Sequence, residues 1–360
     1  MNYCRYTFKQ LANIKYGKNQ KNVLSESGSI PIYGTGGLMG YATDFLYDKP
    51  SVLIGRKGTI EKVYYVEHPF WTVDTLFYTE INDELVLPLY FYYLVSLLDL
   101  KQYNEGTTIP SLRTETLNRL EFDIPSLEDQ AKVLSVLKPI EDKIKVNEGI
   151  NKNLEQQAQA IFKSWFIDFE PFNNKQPDNW TISTLGTVSV MSAGGDKPKN
   201  VSQTKTDIFQ YPIYSNGLSD EGLYGFTDKP KIIEESVTVS ARGTIGFVCL
   251  RHIPYVPIVR LVTLVPKSEI LSAKYLYLYL KQLHITGTGT TQQQLTVPDF
   301  QKKEILVPTQ EIMSKFTDIL EPIFNKLWTN QVENEKLSSL RDTLLPKLMS
   351  GELDVSDIDI

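Results

Sequence analysis

Few side chains in this 360-residue sequence are spaced for covalent chemistry. The natural acid–base or metal-binding groups are three histidines, His68, His252 and His284. His68 and His252 stand at related places, near Pro69 and Pro254, which suits a turn better than a site. Cys4 and Cys249 can fill neither a disulfide framework nor a four-ligand zinc site, so no metal site is expected. Gly17-Lys18-Asn19 lacks the upstream glycine and the Ser/Thr of a phosphate loop. Gly34, Gly36 and Gly37 read as a turn, not a dinucleotide fingerprint. Pro298-Asp299 with Lys302 or Lys303 lacks the spaced acidic partner of a nuclease. No Pro-Pro pair is present, so the Asn/Asp-Pro-Pro-aromatic motif of amino-methyltransferases is missing. What remains is hydrogen-bonding chemistry: Arg, Lys, Asn, Gln and Thr on glycine-rich turns, with no cofactor expected in this chain.

Those turns come in pairs, because the chain is written twice. IPIYGTGGLMG at Ile30–Gly40 returns as YPIYSNGLSDEG at Tyr211–Gly222. GRKGTI at Gly55–Ile60 returns as SARGTIG at Ser240–Gly246. The GTT turn at Gly106–Thr108 returns at Gly289–Thr291, 183 residues on, and Pro125 returns at Pro308 with the same offset. Each half carries short β-like runs, such as Ser51–Ile54 with Val63–Val66 and Ser236–Ser240 with Phe247–Leu250. An aromatic-rich helix follows, Leu89–Leu98 or Tyr275–Leu283, then the GTT turn, then an apolar run into proline.

A long helix closes each half. Leu137, Ile140, Ile144, Asn147, Asn151, Leu154, Ala158, Ile161 and Trp165 step by 3 and 4. Adding 183 gives Leu320, Ile323, Leu327, Asn330, Asn334, Leu337, Arg341, Leu344 and Leu348. This is the coiled-coil period in both copies. In an antiparallel pair Asn147 and Asn151 would meet Asn330 and Asn334, as devices that penalise a wrong register. Arg341 must carry its charge to the seam's edge or to a partner. Ser126 and Thr309 suit N-caps. Pro139 and Pro322 should bend each helix or mark a fresh start. A helix from Leu127 to Phe166 would span about 60 Å, long enough to hold two domains well apart.

Composition is ordinary for globular domains: 41% apolar and 22% charged, so a core is available to each half. No signal peptide and no membrane-length apolar run is seen, and two cysteines suit a reducing cytoplasm. Net charge is −6 but unevenly spread: −2 over 1–125, −2 over 126–170, +3 over 171–308 and −5 over 309–360. Charge alone would therefore not hold a polyanion strongly, and a basic partner would have to add what is lacking.

Taken in order, these segments resemble the specificity subunit (HsdS) of type I restriction–modification systems. The resemblance rests on SIPIYGTGG and QYPIYSNG, GRKGTI and SARGTIGFV, and the GTT turns. IPSLEDQ and VPTQEI at the helix starts, AIFKSWFIDFEPFN and LRDTLLPKLMSGEL extend it over essentially the whole chain. It implies an α+β fold: two β-rich target-recognition domains, 1–125 and 171–308, alternating with helical regions 126–170 and 309–360. The two long helices would form an antiparallel coiled coil with a pseudo-twofold internal repeat. It implies double-stranded DNA as ligand, each domain reading one part of a split site. It also implies two methyltransferase subunits bringing S-adenosylmethionine, restriction/translocase subunits bringing ATP and Mg, and no membrane partner. GTTIPSLRT against GTTQQQLTV points to different half-sites, hence an asymmetric target.

On that resemblance, DNA contacts fall to donor- and acceptor-bearing side chains on the turns. In the first domain these are Thr35, Arg56, Lys57, Thr107, Thr108 and Arg113; in the second, Asn216, Arg242, Thr290, Thr291, Gln292, Gln293 and Gln294. The bland reading stands beside this one. A turn common to two domains of different specificity serves the fold or phosphate contact, which favours that role for Arg-Gly-Thr; both readings stand for Thr290–Gln294. Tyr33 and Tyr214 are read as packing residues. The rival for the whole chain is a non-catalytic protein-binding scaffold with duplicated domains.

Overall fold

The structure is a computed structural model, and it describes residues 3–287 and 294–358. The first half runs β1 (Tyr3–Thr7), α1 (Phe8–Leu11), β2 (Ala12–Tyr16), β3 (Ile30–Gly34), β4 (Gly37–Ala42), β5 (Ser51–Gly55) and β6 (Val63–Val66). It continues with β7 (Trp71–Thr72), β8 (Leu76–Ile81), α2 (Pro88–Ser96), α3 (Thr114–Asn118), β9 (Glu121–Pro125) and α4 (Leu127–Phe166). The second half repeats the order: β10 (Thr181–Thr184), α5 (Leu185–Val188), β11 (Ser189–Ala193), β12 (Tyr211–Tyr214), β13 (Leu223–Thr227), β14 (Ser236–Val239) and β15 (Val248–Arg251). Then come β16 (Val256–Pro257), β17 (Val262–Pro266), α6 (Ala273–Gln282), α7 (Val297–Phe300), β18 (Glu304–Val307) and α8 (Gln310–Ser350).

The repeat extends to strand order and register. Sheet β2-β8-β5-β6 is matched by β11-β17-β14-β15, sheet β4-β3-β7 by β13-β12-β16, and the pair β1-β9 by β10-β18. Even the irregularity recurs: β3 slips register between Ile32 and Tyr33, and β12 between Ile213 and Tyr214. The inner strands β5 and β14 are buried along their whole length; SVLIG is mostly apolar, and in SVTV the buried hydroxyls of Ser236 and Thr238 are hydrogen-bonded to Tyr255 Oη and Arg251 Nε.

Two compact units result: Met1–Asn147 with Val332–Ile360, and Glu148–Gln331. Each long helix thus gives one half to each unit. In the first unit Phe8, Tyr90, Phe91 and Ile124 pack with Val133 and Leu137 of α4 and with Leu345, Leu348 and Met349 of α8. Burying each such large apolar side chain stabilises by roughly 1.5–3 kcal/mol. In the second, Tyr275, Leu276 and Phe300 pack with Phe162 and Phe166 of α4 and with Phe316 and Leu320 of α8. Phe166 meets Phe316 and Tyr275 edge-on, with ring centroids 4.7 and 4.9 Å apart, which gives the aromatic run around Trp165 its packing role. Past α8, Gly351 takes φ +77°, a left-handed conformation that favours glycine at this turn.

The helices pair antiparallel within each unit. In the first, Glu141 faces Arg341 (3.8 Å) and Asn147 Nδ2 donates to Asn334 Oδ1 (2.8 Å). In the second, Asn330 Nδ2 donates to Asn151 Oδ1 (2.8 Å), while Phe162 reaches Phe316. No seam position named above is exposed in either helix. Arg341 reaches Glu141 and Asp342. The expectation of a fresh start at the prolines does not hold: α4 runs unbroken through Pro139, and α8 through Pro322. Each proline removes one ladder hydrogen bond, and packed seam residues on both sides carry the helix across it. Ser126 caps α4, its hydroxyl accepting from the Asp129 N–H at 3.1 Å.

Candidate nucleic-acid interface

In the first unit β5 ends at Gly55, and the chain turns through Arg56-Lys57-Gly58. Gly58 has φ +85° and its counterpart Gly243 has φ +69°, a left-handed conformation that glycine adopts without strain. This turn is stitched to the loop after the GTT segment. Gly58 N donates to the Pro110 carbonyl (2.9 Å), Leu112 N donates to the Arg56 carbonyl (2.9 Å), and Lys57 bridges to Ser111. Arg56, Lys57 and Arg113 thereby line one open groove with Tyr16, Ser111 and Glu115.

The three cations in that groove are not equivalent. Arg56 Nη1 donates to the Asp74 carbonyl at 2.7 Å, and its guanidinium lies over the Tyr16 ring at 4.9 Å. Arg113 Nε pairs with Glu105 at 3.1 Å. Lys57 is exposed. Thr107 and Thr108 are exposed on the adjoining loop, which Asn104 clamps: its Oδ1 accepts from Gly106 N and from Ser111 N, both at 2.9 Å. Thr35 lies elsewhere, on the two-residue turn between β3 and β4, its carbonyl accepting from the Tyr64 hydroxyl at 2.9 Å.

The second unit reuses this frame with other side chains. Leu295 N donates to the Ala241 carbonyl at 3.0 Å, as Leu112 does to Arg56. Arg242 stands at the place of Lys57 and is exposed; its Nη2 donates to Gln294 Oε1 at 3.0 Å, and Gln294 stands at the place of Ser111. Asn216 is committed to the backbone, its Nδ2 donating to the Val259 carbonyl and its Oδ1 accepting from Ala241 N, each at 2.7 Å. Thr290, Thr291, Gln292 and Gln293 lie outside the described residues.

Strand pairing shows what Asn216 replaces. Ile32 pairs with Trp71 as Ile213 pairs with Val256. Asp74 and Val259 both follow three residues later, so their carbonyls are equivalent. Arg56 holds that carbonyl in one domain and Asn216 in the other. Sequence reasoning missed Tyr16, which supports Arg56, and Asn104, whose signal was available as an Asn two residues before a turn glycine.

The remaining candidates are packing groups. His252 stacks on Trp328 with ring centroids 4.1 Å apart. Burial, then the charges of Lys274 and Arg251, hold it below the usual histidine range, so it is neutral at pH 7. Tyr214 stacks under the Arg251 guanidinium at 3.6 Å, and Tyr33 on His68. Among the described residues no group of three or more His, Cys, Asp or Glu converges as a metal site, and no helix is long and apolar enough to cross a membrane.

Comparison with known proteins identifies this frame. A family model described as the type I restriction modification DNA specificity domain matches residues 3–156 and again 177–339. The type I restriction enzyme MjaIX specificity subunit of Methanocaldococcus jannaschii is 27% identical over 359 residues, an alignment covering 87% of this chain and 80% of that one. The HindI specificity subunit of Haemophilus influenzae is 27% identical over 364 residues, covering 76% and 79%. In fold the chain is similar to the S subunit of a type I restriction–modification system from M. genitalium, with TM-score 0.62, 18% identity, and 97% and 96% of the two chains covered. With one match falling on each half of a duplicated frame, the chain belongs to the type I restriction–modification DNA specificity family.

Proposed function

We propose that this chain is the DNA sequence-specificity subunit of a type I restriction–modification complex, reading a split, asymmetric duplex target with one domain per half-site. One observation carries the reading: the two domains share strand order and register while their turns differ, Lys57 with Ser111 in one and Arg242 with Gln294 in the other. A frame held constant beneath variable donors and acceptors suits recognition of two unlike base sequences. The chain carries no catalysis of its own. S-adenosylmethionine belongs to methyltransferase subunits, and ATP with Mg to restriction/translocase subunits. The duplicated helical register offers two similar docking faces, hence two methyltransferase copies. The complex works on DNA in the cytoplasm.

Duplex binding of this chain with and without its methyltransferase subunit tests the proposal. The chain alone, at net charge −6, should bind weakly and turn over neither cofactor. The complex should bind one duplex sequence far above others, with log affinity falling by roughly 0.9 per phosphate contact for each tenfold rise in salt. Binding indifferent to sequence favours the protein scaffold. A reconstituted mass with only one methyltransferase copy contradicts the two docking faces.

A further inference from the structure

We infer that Arg242 and Gln294 form a single guanine-reading unit of the second domain, in which Arg242 meets the base and Gln294 positions it. The inference deepens the DNA-specificity reading above and rests on it. Both side chains leave a pinned backbone. Ala241, just before Arg242, is fully buried, its N–H held by Asn216 Oδ1 at 2.7 Å and its carbonyl by Leu295 N at 3.0 Å. Gly243, just after, turns the chain at φ +69°. Gln294 is followed by Leu295, which is buried in the domain core. From this base Gln294 Oε1 takes one of the five N–H donors of the Arg242 fork at 3.0 Å. An arginine whose plane is already fixed loses less freedom on binding, and its paired donors match guanine O6 and N7.

The character of the partner matters as much as its position. Gln294 is neutral, so it orients the guanidinium without cancelling its charge. Arg113 of the first domain is instead paired with the Glu105 carboxylate at 3.1 Å. At the frame position of Arg242 the first domain carries Lys57, whose ammonium is a point charge without a fork. The same turn is therefore built to read a base in the second domain and to meet phosphate in the first. This separates framework from readout inside the recurrent Arg-Gly-Thr turn: residues 56 and 241 hold the loop, while 57 and 242 face the ligand.

The test is the methylated motif, read by methylome sequencing of a host carrying this chain with its methyltransferase subunit. Wild type should show a guanine in the half-site assigned to the second domain. Arg242→Lys keeps the charge but loses the fork, and should relax that one letter, with discrimination falling roughly 10- to 100-fold. Gln294→Ala should relax the same letter to a smaller extent. Gln294→Glu retains the acceptor and should keep the guanine letter, but its carboxylate offsets the Arg242 charge and should weaken duplex binding overall, a split between letter and affinity that a merely structural role for Gln294 would not produce. If a variant methylates too weakly to read, the purified complex is titrated against the wild-type duplex and duplexes substituted at that guanine. The affinity ratio then gives the same answer without turnover. An unchanged letter or ratio in Arg242→Lys, or relaxation at different letters by the two substitutions, overturns the unit. A wild-type complex with no sequence-dependent methylation at all would instead overturn the DNA-specificity reading beneath it.

Discussion

Arg56 and Asn216 hold equivalent carbonyls, those of Asp74 and Val259, from different positions in the repeat. Both residues have the right chemistry for a base edge; Asn216 commits both ends of its amide to the loop, while Arg56 commits one N–H of its guanidinium. Asn216→Ala removes the partners of Ala241 N and the Val259 carbonyl together, and should lower stability by about 2 kcal/mol. Arg56→Ala should cost less, about 1 kcal/mol, because its single carbonyl bond is half exposed to water. Arg56→Ala should change no letter of the methylated motif, and Asn216→Ala, which unpins the turn carrying Arg242, should at most relax the one guanine letter proposed for Arg242. Urea unfolding and motif sequencing of the two variants check this; a changed letter with unchanged stability would make them base readers. Alignment of the repeats sets Arg56 against Ala241 and Thr35 against Asn216, position by position. It could not reveal that Asn216 substitutes for Arg56 across space, because that exchange exists only once β12 lies beside β16. Lys57, Arg242 and Gln294 were legible as polar turn residues, the first two exposed and the third half-buried; that Arg242 and Gln294 touch was not.

The long helices were the most legible elements, since two copies of one 3,4 spacing leave little choice of face. Their polar layers are costly. Asn147 Oδ1 and Asn330 Oδ1 are each buried, and no partner is found for either among the described residues. Asn147 Nδ2 does donate to Asn334 Oδ1 and to Glu333, and Lys143 also reaches Glu333. Asn147→Leu should therefore leave Asn334 short of a donor and destabilise by about 1–3 kcal/mol. Adding Asn334→Leu removes both halves of the pair and should restore most of the loss. A double-mutant cycle in urea measures the coupling; simple additivity would show that the pair contributes nothing to the seam. The prolines mark the limit of local rules. Pro139 and Pro322 read as bends or fresh starts; the fresh start does not occur, because tertiary packing of Leu137 and Leu320, both fully buried, holds helical backbone through them. The four-residue helices α1 and α5 had no periodicity to betray them.

At the scale of the whole molecule, duplication explains the most. A single β-rich half would leave the apolar faces of its helix uncovered, whereas each compact unit here closes its core with segments from both ends of the repeat. That closure was legible from the matching heptads. The identity of the bases read was not, because the readers proposed here are a handful of turn side chains that the shared frame does not specify. The central claim is that two independent readers share this frame. It is tested most directly by replacing residues 1–125 with the corresponding domain of another specificity subunit and sequencing the methylome of the host, with its methyltransferase subunit present. The account predicts a new motif in which one half-site is exchanged and the other keeps every letter. A motif in which both half-sites change together would contradict it.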